Sequence, residues 1–139
     1  MNKSKINSTI DTILQSYENV AVVGISDNPS KPSYQVAAYL QNAGYNIYPV
    51  NPKYDSVLDQ KCYPNLNSIP VPVEIINIFR NAEHIAPIVE EAIKIGGKVI
   101  WMQLGIINED AAMTALESGM QVVMDRCMKI EHSRYSHQR

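Results

Sequence analysis

Apolar and polar positions alternate along this chain in blocks of two kinds. Val20-Ala21-Val22-Val23-Gly24-Ile25 is an almost unbroken apolar run, which reads as a strand buried on both faces. Residues 45–50 alternate and contain Pro49, so they predict a strand that is less completely buried. Residues 73–79, 98–104 and 120–124 supply three more strand-like runs. Between these lie stripes at helical spacing. Ile6, Ile10, Ile13, Leu14 and Tyr17 precede the first strand. Val36, Ala37, Leu40 and Ala43 follow an N-cap expected at Ser33 and stop at Gly44. Ile85, Ile88, Val89, Ala92 and Ile93 mark a helix in which Pro87 fits only the first turn. Ala112, Ala115 and Leu116 form the last stripe, capped by Asn108, with Glu109 and Asp110 in the turn whose dipole favours acid.

Strands alternating with helices imply a parallel sheet with right-handed crossovers. The expected fold is α/β: a Rossmann-like three-layer domain with a five-stranded parallel sheet in the order 3-2-1-4-5. It occupies residues 1–139 as a single domain, with an N-terminal helix within 1–18 and a polar tail at 128–139 that caps an edge. Residues 55–72 carry Pro64, Pro70 and Pro72 and no long stripe. They read as a loop crossover with one helical turn near Asn65-Leu66-Asn67-Ser68.

Composition narrows the function classes. A chain of 139 residues with 45% hydrophobic content suits one soluble globular domain. A net charge of −2 offers no basic field for nucleic acid. Two cysteines, Cys62 and Cys127, make no disulfide framework. Neither a signal-peptide core nor a membrane-length apolar run is present, and a cytoplasmic protein without membrane contact is the expectation. His84, His132 and His137 form no metal-ligand spacing with either cysteine.

In an open parallel sheet, ligands sit beyond the carboxyl ends of the strands at the switch point. The first such segment is Gly24 to Ser33. It lacks the G-x-G-x-x-G fingerprint of dinucleotide proteins, because Ser26 stands where the second glycine would be. Its hydroxyls at Ser26, Ser30 and Ser33, the helix-start N–H groups and Lys31 suit a diphosphate; a tight turn with a capped helix is the plainer reading. After the second strand stands Asn51-Pro52-Lys53. A lysine there suits a phosphate on the ribose, as in NADP or CoA, where NAD proteins commonly place an acid; a solvated turn lysine is the alternative. Phe79 offers an apolar wall and Arg80 a phosphate partner or an ordinary helix-start cation. Trp101 reads as core, while Gln103 and Gly105 bring an amide and bare backbone to the cleft. Cys127 is either a small packed residue or a thiol able to meet a ligand thiol, and Cys62 reads as packing.

Taken in order, Val22-Val23-Gly24-Ile25-Ser26, Lys31-Pro32-Ser33, Val50-Asn51-Pro52, Phe79-Arg80, Trp101-Met102-Gln103-Leu104-Gly105 and Met124-Asp125-Arg126-Cys127 resemble the small single-domain CoA-binding proteins. That group is similar to the CoA-binding domain of the succinyl-CoA synthetase α subunit. The resemblance spans about residues 17–132 and implies a Rossmann-type fold with coenzyme A or acyl-CoA as ligand. It implies that Gly24, Ser26, Lys31 and Ser33 serve the phosphates, that Asn51, Pro52 and Lys53 border the adenosine end, and that Phe79, Arg80, Gln103 and Gly105 flank the pantetheine path. No counterpart of the synthetase's phosphorylatable histidine domain is visible. A non-catalytic CoA-binding protein is therefore the leading expectation, with self-association plausible through sheet edges. An NAD(P)-binding oxidoreductase or redox sensor, and a thiol-based CoA store or sensor using Cys127, are the alternatives.

Overall fold

The structure is a computed structural model and describes residues 3–138, with side chains through 135. A five-stranded, wholly parallel sheet forms the middle layer. Its strands are β1 (Asn19–Val23), β2 (Asn46–Val50), β5 (Ile75–Ile78), β6 (Val99–Met102) and β7 (Gln121–Val123). Two further strands, β3 (Ser56–Val57) and β4 (Gln60–Lys61), make a separate antiparallel hairpin. The helices are α1 (Ile10–Ser16), α2 (Pro32–Asn42), α3 (Ile85–Lys94), α4 (Glu109–Glu117) and α5 (Met128–Gln138).

Strand parity sorts the core into two layers. Ala21, Val23, Ile76, Ile78, Ile100 and Met102 face α3 and α4, meeting Ile85, Val89, Ala92, Ala112 and Ala115. Val20, Val22, Ile75, Val99, Trp101 and Val123 face the other way, toward Ile13 and Leu14 of α1, Val36, Ala37 and Leu40 of α2, and Met128 of α5. The fully buried aliphatic side chains each contribute about 1.5–3 kcal/mol relative to exposure.

The Rossmann-like α/β class is as expected, but the strand order is not. The sheet runs β2-β1-β5-β6-β7. Counted among the five sheet strands this is 2-1-3-4-5, and the expected 3-2-1-4-5 is corrected. The third sheet strand, β5, pairs with β1 on the side away from β2. Pro49 supplies a physical reason. Its carbonyl faces outward and accepts from the Tyr63 N–H at 2.9 Å, so its ring nitrogen faces outward too. With no N–H to give, it suits an outer edge and would leave a gap in the ladder of an interior strand. β5, buried at all four positions, takes the interior place instead.

Smaller differences have local causes. The first stripe is not one helix. Asn7 has φ of +65°, which separates a 3-10 turn (Lys3–Lys5) from α1. Its side chain bonds the backbone of Met124 in both directions, and its N–H donates to Val122 at 3.0 Å. Helix α2 starts at Pro32, so the cap is Lys31 and not Ser33; proline's fixed φ suits the first helical position. The crossover contains the expected turn (Leu66–Ser68), capped by Asn65, and also the unexpected β3–β4 hairpin. Leu58 and Asp59 take φ of +56° and +60° at its tip, the conformation a two-residue hairpin demands. The polar tail is helical: α5 packs on α1 and α2. Asn108 caps α4 as expected, accepting from the Ala111 N–H at 3.0 Å.

Candidate functional site

The carboxyl ends of β1, β2 and β5 meet at an open cleft of about 680 Å³. The switch point lies here, because β2 and β5 flank β1 on opposite sides. Gly24, just past β1, is part of the cleft's lining. Its N–H donates to the Val50 carbonyl at 2.9 Å, and the Phe79 N–H donates to Val23 at 2.8 Å. With φ of +86°, Gly24 turns the chain out of the sheet in a conformation that L side chains rarely adopt. A Cβ there would lie 2.5 Å from the Phe79 carbonyl oxygen and 2.8 Å from Arg80 Cδ. Only glycine lets the ends of β1 and β5 come this close.

Six of the expected site residues line this one cleft: Gly24, Asn51, Pro52, Lys53, Phe79 and Arg80. The opposite wall comes from Pro64, Asn65 and Leu66 of the crossover and from Asn81, His84, Ile88 and Glu91 around α3. Lys53 and Arg80 are exposed and have no salt-bridge partner among the described residues. The same is true of Lys31 on the adjoining loop. Lys53 and Arg80 thus place two cations without ion-pair partners among the described residues at the cleft of a chain whose net charge is −2.

Side chains expected to touch ligand also bind the loops together. Asn51 Nδ2 donates to the Ile25 carbonyl at 2.8 Å, and its Oδ1 accepts from the Lys53 N–H at 2.9 Å. It thus ties the loop after β1 to the loop after β2. Ser33 is buried, and its Oγ accepts from the Ser26 N–H at 2.9 Å. Ser26 Oγ accepts from Asn28 N–H at 3.0 Å, and Ser30 Oγ donates to Asn28 Oδ1 at 2.9 Å. Ser26 and Ser33 only accept in these bonds, so each keeps its own O–H to donate. Hydrogen bonds on the two sides of the Ile25–Ser26 peptide therefore link it to Ser33 and, through Asn51, to Lys53.

The other five expected residues, Ser26, Lys31, Ser33, Gln103 and Gly105, lie outside the lining of the cleft. Gln103 is buried, and its Oε1 accepts from Asn77 Nδ2 at 3.2 Å and from the Met128 N–H at 3.0 Å. It anchors α5 to the sheet. The exposed Gly105 gives its N–H to Asp125 at 2.7 Å. Trp101 is fully buried and donates to the Arg126 carbonyl at 2.9 Å. Cys127 is half-buried against the α1/α2/α5 layer. Cys62 is buried behind Asn51, its thiol 3.4 Å from the Asn51 carbonyl, and burial pushes its pKa up. Among the described residues, no group of three or more His, Cys, Asp or Glu could hold a metal. His137 has its side chain outside the described residues. No described helix is long and apolar enough to cross a membrane.

Residues 18–133 match a family model described as "CoA binding domain". The chain belongs to the CoA-binding domain family. As a CoA-binding domain it is 40% identical to the uncharacterized protein YneT of Bacillus subtilis over 124 residues, 89% of this chain and 92% of that one. A solved structure described as a hypothetical protein from Pyrococcus horikoshii OT3 superposes with a TM-score of 0.90 at 38% identity, covering 98% and 99% of the two chains. An ADP-forming acetate–CoA ligase of Archaeoglobus fulgidus is 35% identical over 83 residues. That match takes in 58% of this chain and only 12% of the ligase, so this CoA-binding domain corresponds to a small part of the larger enzyme.

Proposed function

We propose that this chain is a non-catalytic binding protein for coenzyme A or an acyl-CoA. The observation that carries the reading is the convergence of bare backbone at Gly24 with the unpaired Lys53 and Arg80 at one cleft. In this reading the diphosphate lies over Gly24 and the 26–33 loop, where the free N–H groups at the start of α2, the Ser26 and Ser33 hydroxyls and Lys31 favour negative charge. The adenosine end occupies the cleft, with its ribose phosphate near Lys53. The pantetheine arm passes Phe79 and Arg80 toward Gly105 and the end of β6. Gln103 supports that path from behind, since its amide oxygen is already committed within the fold.

The test is calorimetric titration with CoA, 3′-dephospho-CoA and NAD. CoA should bind most tightly. Lys53→Ala should narrow the gap between CoA and dephospho-CoA, lowering CoA affinity about fivefold, as fits an exposed charge pair worth roughly 1 kcal/mol. Equal binding of the three ligands by the wild type would overturn the proposal.

A further inference from the structure

Glu91 is out of place in a cleft that is to receive a polyanion. It is the one acidic side chain among the cleft's lining residues, which otherwise offer Lys53, Arg80 and His84. Its Oε2 accepts from the Asn67 N–H at 3.2 Å, holding the crossover turn against α3. That bond uses one carboxylate oxygen and leaves Oε1 able to accept another donor.

Beside it stands a matching donor. Asn65 caps the same turn, its Oδ1 accepting from both the N–H and the hydroxyl of Ser68 at 3.0 and 2.8 Å. Its Nδ2 gives no hydrogen bond among the described residues and remains a donor. Asn67 and Ser68 are consecutive, so their two N–H groups bring the Glu91 carboxylate and the Asn65 amide to neighbouring places on one wall. Both residues line the cleft, so this wall carries a carboxylate acceptor and an amide donor. Apolar Leu66 and Ile88 lie around them.

An acceptor–donor pair complements the edge of adenine that carries the N6 amine as donor and N7 as acceptor. It does not complement a purine with an oxygen at position 6, which would set a lone pair against a carboxylate. We propose that Glu91 and Asn65 form the base-reading wall of the cleft and select a 6-aminopurine over a 6-oxopurine. The inference rests on the CoA reading above and sharpens it: specificity for the base resides on the crossover and α3, apart from the phosphate-binding loops.

The experiment compares CoA with deamino-CoA, in which hypoxanthine replaces adenine, by calorimetry on the wild type, Glu91→Gln and Asn65→Ala. The wild type should favour CoA by about tenfold, the value of a charge-assisted hydrogen bond lost or opposed. Glutamine can still accept from Asn67 while turning an amino group toward the base. Glu91→Gln should therefore erase the preference or reverse it, with deamino-CoA binding more tightly than to the wild type. Asn65→Ala should weaken both ligands. Equal wild-type affinity for the two, or a proportional loss of both in Glu91→Gln, would overturn the base-reading role and leave Glu91 as a pin for the turn, with CoA binding intact. Failure of the wild type to bind either ligand would instead remove the CoA reading and this inference with it.

Discussion

Replacing Gly24 by alanine tests whether close backbone approach at the switch point is what the site is built on. Two costs combine. The first is conformational: φ of +86° is costly for any residue with a Cβ, at roughly 1–2 kcal/mol. The second is steric. The new methyl would lie 2.5 Å from the Phe79 carbonyl oxygen, a backbone atom at the end of the interior strand β5 that has no rotamer to escape by. The strand ends must part by about 1 Å, an overpacking worth roughly 1–3 kcal/mol. Together these predict a loss of about 2–5 kcal/mol. In a urea titration followed by circular dichroism, that moves the midpoint down by about 1–2 M. Gly44→Ala is the control: its φ is +104°, but an added Cβ meets nothing within 4 Å. It should show the conformational cost alone and keep its CoA affinity. Gly24→Ala should lose CoA affinity by at least about tenfold under conditions where it remains folded. Equal midpoint shifts in the two variants would refute the steric half of the reasoning, and unchanged CoA affinity in Gly24→Ala would refute the site's dependence on it.

Asn51→Ala should cost about 1–3 kcal/mol in thermal or urea unfolding, since two side-chain hydrogen bonds are lost and the Ile25 carbonyl and Lys53 N–H lose their partner. It should also weaken CoA and dephospho-CoA alike, unlike Lys53→Ala; selective loss of CoA would contradict a role in holding both loops. Tyr45 donates to the Leu14 carbonyl at 2.7 Å, and burial, with smaller contributions from Tyr135 and Tyr39, pushes its pKa from 10.0 up to about 12. A group that binds its proton more tightly when folded contributes stability that is complete below the unfolded pKa and is lost as pH rises through the folded one. Stability should therefore fall between about pH 10 and 12, and Tyr45→Phe should flatten that slope while costing roughly 1 kcal/mol at pH 7. An unchanged alkaline slope in Tyr45→Phe would contradict this assignment.

The fold's class was legible because strands buried on both faces leave continuous apolar runs, as at residues 20–25. The cap at Asn108 was legible because it is local, bonding the N–H three residues on, whereas the cap expected at Ser33 falls at Lys31 because Pro32 opens the helix. The side on which β5 inserts departs from the expected order, although Pro49 carries the signal for it. A residue without an N–H belongs on an outer edge, and the expected order placed its strand between two neighbours. The segments around the cleft were readable from their places after strands. The occupation of Gln103 was not, because its partners lie about 25 residues away in sequence. Glu91 and Asn65 were missed for a related reason. One looks like a solvated helix position and the other like a turn residue, and only the packing of the crossover on α3 brings both to the same cleft.

The outermost strands bear on how copies of this chain could meet. An open sheet invites a neighbour to continue its ladder, yet here each rim is partly taken by the chain's own segments. Asn7 lies along β7, and Tyr63 bridges to Val50 beside the proline of β2. A second molecule wishing to extend the ladder would first have to peel one of them away. Changing Asn7 would thus do more than loosen a terminus: it would uncover a templating surface and make aggregation, rather than unfolding, the first symptom of damage.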